Sequence, residues 1–376
     1  MTNQISEFLQ SRIDANDFPS AVYLIAEKGE IVLQDALGFA VVEPEHIEAR
    51  IDTIYDLASL TKVLVTGLRC ARFFNDEELL SQKVSKFFNG FDKDGKQEIT
   101  IKNLLTHTSG FRAWKPLYLG KNLWSEVYEE KLEYPTNSKV VYSDLNFIWL
   151  SLIIEEIHQY DFESIAKEII FEPLNLQNTF FNPPKELQKR IAASEKGNKF
   201  EKQTCIEQGF LNPSAPANGS DKFRDYQIWG EVHDGNCYFM NGVSGHAGLF
   251  STAEEVFKIA QQFLANQTTL LQPETCELFR TNFTPDLNEA RSIAFQLAET
   301  PDSTASKALS KDSFGHLGFT GTSLWIEPET ERIFILLTNR THAHELPFVN
   351  INSVRRKFHE LAQDFLQSRL NKKTDI

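Results

Sequence analysis

The chain has 376 residues, room for one large domain or two small ones at about 100 to 200 residues each. With 24% charged and 41% hydrophobic residues it has the composition of a soluble chain with a real core, which excludes a disordered segment or a disulfide mini-protein. Setting 38 Lys and Arg against 52 Asp and Glu leaves a net charge of −14, which repels phosphate backbones and anionic lipid and argues against nucleic-acid and membrane partners.

Cys70, Cys205, Cys237 and Cys276 are scattered, with no Cys-x-x-Cys pair for a zinc ribbon or thioredoxin motif, and a reducing compartment is the simpler reading. The N-terminus, Met1-Thr-Asn-Gln-Ile-Ser-Glu, lacks the basic stretch and apolar run of a signal peptide, so a cytoplasmic location is expected. Phe147–Ile154, the most apolar run, is far shorter than the roughly 20 residues that cross a bilayer.

In chain order, residues 5–15 carry apolar positions at helical spacing, and Ala21–Ala26 and Ile31–Leu33 flank a Lys28-Gly29 turn as paired strands. Helical spacing returns from Leu60 to about Phe74 and again at 101–107, 121–130, 146–158 and 161–171. Residues 182–245, with Pro183-Pro184, Asn212-Pro213, Pro216 and several glycines, read as an irregular stretch covering a cleft. A helix at 253–265 follows, then strands at Leu317–Ile326 and Ile333–Thr338 around the turn Pro328-Glu-Thr, and a helix at 351–370. Strands at both ends around a helical middle predict an α+β fold whose antiparallel sheet is built from the two termini. A single domain over 1–376 is expected, with an α/β part at about 1–58 and 253–376 and a helical and loop part at about 59–252.

Chemistry concentrates at Ser59-Leu60-Thr61-Lys62, where an extended stretch gives way to a helix. Positions three apart share a helix face, so the Ser59 hydroxyl and the Lys62 amine can meet. For Lys62 to take the serine proton near pH 7, its pKa must fall from about 10.4 to about 7, a cost of about 4 to 5 kcal/mol. A helix N-terminus supplies only about 0.3 to 1 kcal/mol, so burial, aided by a second cation, is expected to do most of it. The spacing alone is weak evidence: Ser59 could be a plain N-cap, and Ser164-Ile-Ala-Lys167 is a second match, read as the surface turn of an amphipathic helix. Tyr142-Ser143-Asp144 precedes a helix; a tyrosine in the same pocket could titrate with Lys62 as a coupled pair, or could simply be a core residue. His316-Leu317-Gly318 reads as the start of a strand where Gly318 lets a ligand approach, and the Phe319 amide could join that of Ser59 in an oxyanion hole.

Taken together, Ser-x-x-Lys, a Tyr-Ser-Asn-like triplet and a His-x-Gly strand resemble the serine β-lactamase and penicillin-binding protein superfamily. The closest resemblance is to the class C β-lactamase-like group of D,D-carboxypeptidases, D-aminopeptidases and esterases. Supporting segments are Tyr55–Lys62, Leu104-Leu-Thr-His-Thr-Ser-Gly110, Phe171-Glu-Pro-Leu174, Gly245–Thr252 and Gly315–Thr322, spread over about residues 20–340. The resemblance implies that Ser59 forms an acyl-enzyme with Lys62 and Tyr142 moving the proton. It also implies that the Ser59 and Phe319 amides hold the oxyanion and that Asp144, His316 and Gly318 line the substrate site; no cofactor or metal is expected.

Two departures shift weight toward esters or other small acyl substrates. Asp144 replaces Asn and, when ionised, only accepts hydrogen bonds, while His316 replaces Lys and weakens recognition of a substrate carboxylate. A D,D-carboxypeptidase or β-lactamase, and a non-catalytic binding protein on the same fold, are the alternatives. His342-Ala-His344 is the one close histidine pair and has no accompanying carboxylate motif, and no Gly-x-Ser-x-Gly suits an α/β-hydrolase. Gly230-Glu-Val-His-Asp234 is expected to border the cleft without an assigned role, and His107 to serve as a structural hydrogen-bonding residue.

Overall fold

The computed structural model describes residues 3–212, 214 and 219–374. Helix α1 (Gln4–Asp14) is capped by the Asn3 side chain and leads into β1 (Ser20–Glu27) and β2 (Glu30–Val41), joined at Lys28-Gly29, where Lys28 has φ +53° and Gly29 φ +80°. The second strand runs well beyond the three residues expected. A short β3 (Ile47–Glu48) extends it, and β4 (Tyr55–Asp56) leads to the serine.

The helical middle comprises a π-helical turn Lys62–Gly67 running into α2 (Leu68–Phe73), then α3 (Glu77–Leu80), α4 (Ile101–Leu105), α5 (Leu123–Tyr128), α6 (Asp144–His158) and α7 (Phe162–Ala166). The stretch expected to be irregular contains α8 (Lys199–Glu207) and α9 (Gly235–Phe239); of its expected turn residues, Pro213 and Pro216 lie outside the described residues. After β5 (Phe250–Ser251), α10 (Ala253–Ala260) and β6 (Gln296–Leu297) come β7 (Phe314–Leu317), β8 (Ser323–Glu327) and β9 (Arg332–Thr338), and α11 (Asn352–Thr374) closes the chain. The single strand expected over Leu317–Ile326 is thus two antiparallel strands around a turn, and His316 lies near the end of a strand rather than at its start.

The sheet order β3-β2-β1-β9-β8-β7-β6 places the N-terminal strand β1 against the C-terminal β9, with Ala21 opposite Thr338 and Glu27 opposite Arg332. The sheet is therefore built from both chain ends, as the strand pattern predicts. Its period of two sorts side chains between two cores. Val22, Leu24, Ile333, Ile335, Leu337, Leu324 and Ile326 join the large core under the helical middle. Tyr23, Ile25, Phe334, Leu336 and Trp325 face the other way, against Ile5 and Leu9 of α1 and Phe358 and Ala362 of α11. Covered on both faces, the central strands are apolar almost throughout, which explains why β1 reads as a continuous hydrophobic run.

Candidate active site

The chain turns sharply after β4. Ala58 has φ +47°, a left-handed conformation that costs a non-glycine residue energy and recurs at functional sites. The buried Asp56 carboxylate holds the turn by accepting from the Ala58 amide (2.8 Å) and from the His233 amide (2.8 Å), tying the serine segment to the Gly230–Asp234 stretch. Ser59 emerges half-buried, and one turn later Lys62, at the start of the π-helical segment, is completely buried.

Lys62 Nζ lies 2.6 Å from Asp144 Oδ1, 2.9 Å from the His246 carbonyl and 3.0 Å from Ser59 Oγ. Three acceptors around one nitrogen match the three protons of an ammonium. Burial pushes the Lys62 pKa down, but the Asp144 carboxylate and the Tyr142 hydroxyl outweigh it, and the group is held above its ordinary value. The expectation that a dry cleft and a second cation would lower this lysine is therefore corrected. The cleft is dry, but Asp144, standing where the related triplet has Asn, is an anion against the amine. Asp144 is an ion-pair partner of Lys62 before it is any substrate contact.

Tyr142 and Asp144 are presented by the start of α6, where a carboxylate also suits the positive end of the helix. Ser143 donates its amide to His107 Nδ1 (3.0 Å) and its hydroxyl to the Arg112 carbonyl (2.6 Å), and the His107 ring packs against the Tyr142 ring at 4.6 Å, tilted by 39°. His107 thus holds the triplet in place, in keeping with its expected structural role. Burial raises the Tyr142 pKa, with Lys62 opposing and Asp144 adding to the rise, so the phenol stays protonated. Among the described residues its hydroxyl is buried without a hydrogen-bond partner, and Ser59, Lys62 and Asp144 are the polar groups acting on it.

The turn between β7 and β8 docks on the serine segment. Thr320 donates to the Asp56 carbonyl (2.7 Å) and Thr322 to the Leu57 carbonyl (3.0 Å). A Cβ on Gly318 would run into Thr322 Oγ1 and come within 2.6 Å of the Leu57 carbonyl, so glycine is required for this docking. Among the described residues the Ser59 and Phe319 amides donate to no acceptor, and both residues line the same cavity. His316 donates from Nδ1 to the Leu317 carbonyl (2.9 Å); burial, with Arg291 and Lys62 nearby, keeps its ring neutral.

The cavity, about 500 Å³, is lined by Ser59, Tyr142, Asp144, His316, Gly318 and Phe319, with Lys62 beneath it. These residues, predicted from three distant stretches of sequence, are brought together. Ser164, in contrast, is exposed on α7 and bonded to its own N-cap, Asp161 (2.7 Å).

The Gly230–Asp234 segment borders the cleft as expected, but sequence reasoning gave Asp234 no role and missed other lining groups. Asp234 accepts from His246 Nε2 (3.0 Å), whose Nδ1 meets Ser244 Oγ (2.7 Å); burial raises the Asp234 pKa, but His246, the Cys237 amide and Lys62 overcome this and hold it low. The signal was present in the segments Gly230–Asp234 and Gly245–Thr252, although neither revealed a partner. Burial pushes Glu201, on α8, up to about 7, with Asp234 adding to the rise. Nothing in the spacing of Glu201, Arg291, Arg340 or Arg355 marked them as cavity residues. Asp144, Asp234 and His246 place one ligand atom each within 4.8 Å of one another, the spacing of a cation site, but the Lys62 ammonium already supplies the positive charge there.

A serine set between a buried lysine and a tyrosine, where a helical region meets the edge of an antiparallel sheet, defines the serine β-lactamase and penicillin-binding class of hydrolases. The chain belongs to the Beta-lactamase family, whose model matches residues 5–355. It is 29% identical to a putative D-alanyl-D-alanine carboxypeptidase of Escherichia coli K12, over 91% of this chain and 82% of the relative. A class C β-lactamase from Rhodobacter sphaeroides superposes with a TM-score of 0.70 at 15% identity, over 97% of this chain and 100% of the other. EstCE1, a hydrolase with promiscuous acyltransferase activity, gives 0.69 at 17%, over 96% and 97%. Among the described residues no helix is long and apolar enough to cross a membrane.

Proposed function

We propose that the protein cleaves a small ester or amide through an acyl-enzyme on Ser59. The observation that carries this reading is Ser59 Oγ at 3.0 Å from a fully buried Lys62 Nζ, at the floor of a cavity that also holds two free amides. Ser59 Oγ bonds to the acyl carbon as the carbonyl electron pair moves onto oxygen, which the Ser59 and Phe319 amides stabilise. Because Lys62 rests as an ammonium, it accepts the serine proton only from its neutral form, reached by passing a proton to Asp144, 2.6 Å away, or to solvent. The departing group then takes a proton from the Tyr142 and Lys62 pair while the proton lent by Lys62 returns to it, and water attacking the acyl-enzyme repeats the transfer to release the acid.

A fluorophosphonate tests the nucleophile. Labelling of the wild type that disappears in Ser59→Ala supports the reading, and a wild type that stays unlabelled refutes it in favour of a binding protein. Short p-nitrophenyl esters, a peptide ending in D-Ala-D-Ala and nitrocefin then sort the acyl group. The esterase reading requires ester turnover to dominate, and efficient release of D-alanine would instead favour a carboxypeptidase.

A further inference from the structure

His233, in the Gly230–Asp234 stretch, is buried at the cavity wall, and the proton transfers at Ser59 do not use it. Its amide donates to Asp56 (2.8 Å), the carboxylate that also receives the Ala58 amide and so shapes the turn into Ser59. Its carbonyl accepts from Arg224 Nη2 (2.6 Å). Its ring Nε2 lies 2.8 Å from Oε2 of the buried Glu195, and because a carboxylate only accepts, the ring donates. So held, the imidazole lies against the Phe319 ring, with 5.4 Å between centroids and 21° between planes. The other oxygen of Glu195 accepts from the Phe200 amide (2.9 Å), and the Phe200 ring packs on Phe319 at 4.8 Å. One buried carboxylate therefore orients two of the rings that confine Phe319.

We propose that His233, braced by Glu195, is a positioning residue of the oxyanion hole, joining the segment that carries the Ser59 amide to the one that carries the Phe319 amide. The inference rests on the acyl-enzyme reading, since acyl transfer is what requires the two amides to converge. An amide that donates to no acceptor is not fixed by a bond of its own, so the groups on either side of it set its direction. For Phe319, Arg340 Nε holds the carbonyl (2.7 Å), and the Thr320 and Thr322 bonds hold the turn, which leaves the ring as the remaining handle. A shift of that ring would swing the amide, and His233 and Phe200 stand in its way. Misplacement by about 1 Å costs about a hundredfold in rate, so packing on this ring bears on catalysis without touching the acyl group.

The test compares p-nitrophenyl acetate with its thiono analogue, in which sulfur replaces the carbonyl oxygen. Sulfur is larger and a weaker acceptor, so two aligned amides should favour the oxygen ester in kcat by about a hundredfold or more. In His233→Ala that preference should shrink by about tenfold, with kcat on the oxygen ester down by about ten- to a hundredfold and KM little changed. Glu195→Gln, which keeps the shape but accepts from one of its two neighbours, should shrink the preference less and in the same direction. Lost packing alone would lower the melting temperature and leave the oxygen-to-sulfur ratio where it was. A wild type without the preference, variants that keep it in full, or a loss confined to KM overturns the proposal. Should His233→Ala not fold, the ratio in Glu195→Gln and in His233→Gln, which still reaches Glu195 but lacks the ring, decides the matter. Fluorophosphonate labelling separates the two failures: an unlabelled wild type removes the acyl-enzyme and its oxyanion hole together, whereas a labelled wild type whose variants keep the ratio removes only the role of His233.

Discussion

The chain contains the same four-residue spacing twice, and the two copies have different surroundings. Ser59 and Lys62 follow a strained turn, with the lysine fully buried and shared among a carboxylate, a carbonyl and the serine. Ser164 and Lys167 are both exposed, and Ser164 bonds only to the cap of its own helix. Helical spacing brings a hydroxyl near an amine in both places. Exclusion of water and a partner for the proton exist in only one, and these are what acyl-transfer chemistry needs beyond proximity.

The largest expected difference between the copies is in turnover. Ser59→Ala should lower kcat/KM on whichever ester proves active by at least about a thousandfold, with Lys62→Ala close behind, because the two act as a unit. Ser164→Ala and Lys167→Ala should leave it within about twofold. A chromogenic ester assay on the four variants reads this directly, and comparable losses at both sites would dissolve the contrast.

Next comes the device that brings Phe319 to Ser59. In Gly318→Ala the new methyl meets the Leu57 carbonyl and Thr322, so the turn must lift away and the two free amides lose their alignment. Loss of one oxyanion donor costs about a hundred- to a thousandfold in kcat. Gly318→Ala should show that fall in kcat with little change in KM and an unaltered far-UV circular dichroism spectrum.

Asp144 sharpens the contrast through pH. Its carboxylate lifts the Lys62 pKa, and Asn at this position would remove that charge while leaving burial, which lowers it. Any step requiring the amine in its neutral form then becomes available at lower pH. The ascending limb of the kcat/KM profile should move toward acid by about 1 to 3 pH units in Asp144→Asn. A limb that stays fixed, or that moves toward alkali, would exclude Lys62 as the group that deprotonates Ser59.

The difference between the copies also marks what could be read from the sequence. The sheet from two chain ends was legible because burial on both faces leaves β1 and β9 as apolar runs and the turn residues between strands are polar or Gly. The split of Leu317–Ile326 into two strands was not, because Gly318–Thr322 continues the apolar and Thr-rich pattern, and only its docking on Asp56 and Leu57 makes it a turn. Ser59, Lys62, Tyr142 and Phe319 were legible because each belongs to a local pattern. The charge state of Lys62 was not, since it depends on Asp144, 82 positions away, and Arg291 sits in no pattern at all. Pairings across the fold decide these, and spacing along the chain does not record them.

The smallest expected effect belongs to the exposed copy. Asp161 caps α7 by accepting from the Ser164 amide (2.9 Å) and hydroxyl (2.7 Å), and these bonds hold its pKa below the usual carboxylate value. Asp161→Ala should therefore lower stability by about 1 kcal/mol near neutral pH without touching turnover. The sign follows from the lowered pKa: the ionised cap contributes fully above the ordinary carboxylate pKa of about 4, and its contribution fades as pH falls through the lower native value. Urea midpoints of wild type and Asp161→Ala should thus converge as the pH is brought below about 4. A difference that instead grew in acid would mean that the Ser164 bonds do not depend on an ionised carboxylate, and the exposed copy would then be held by something other than its cap.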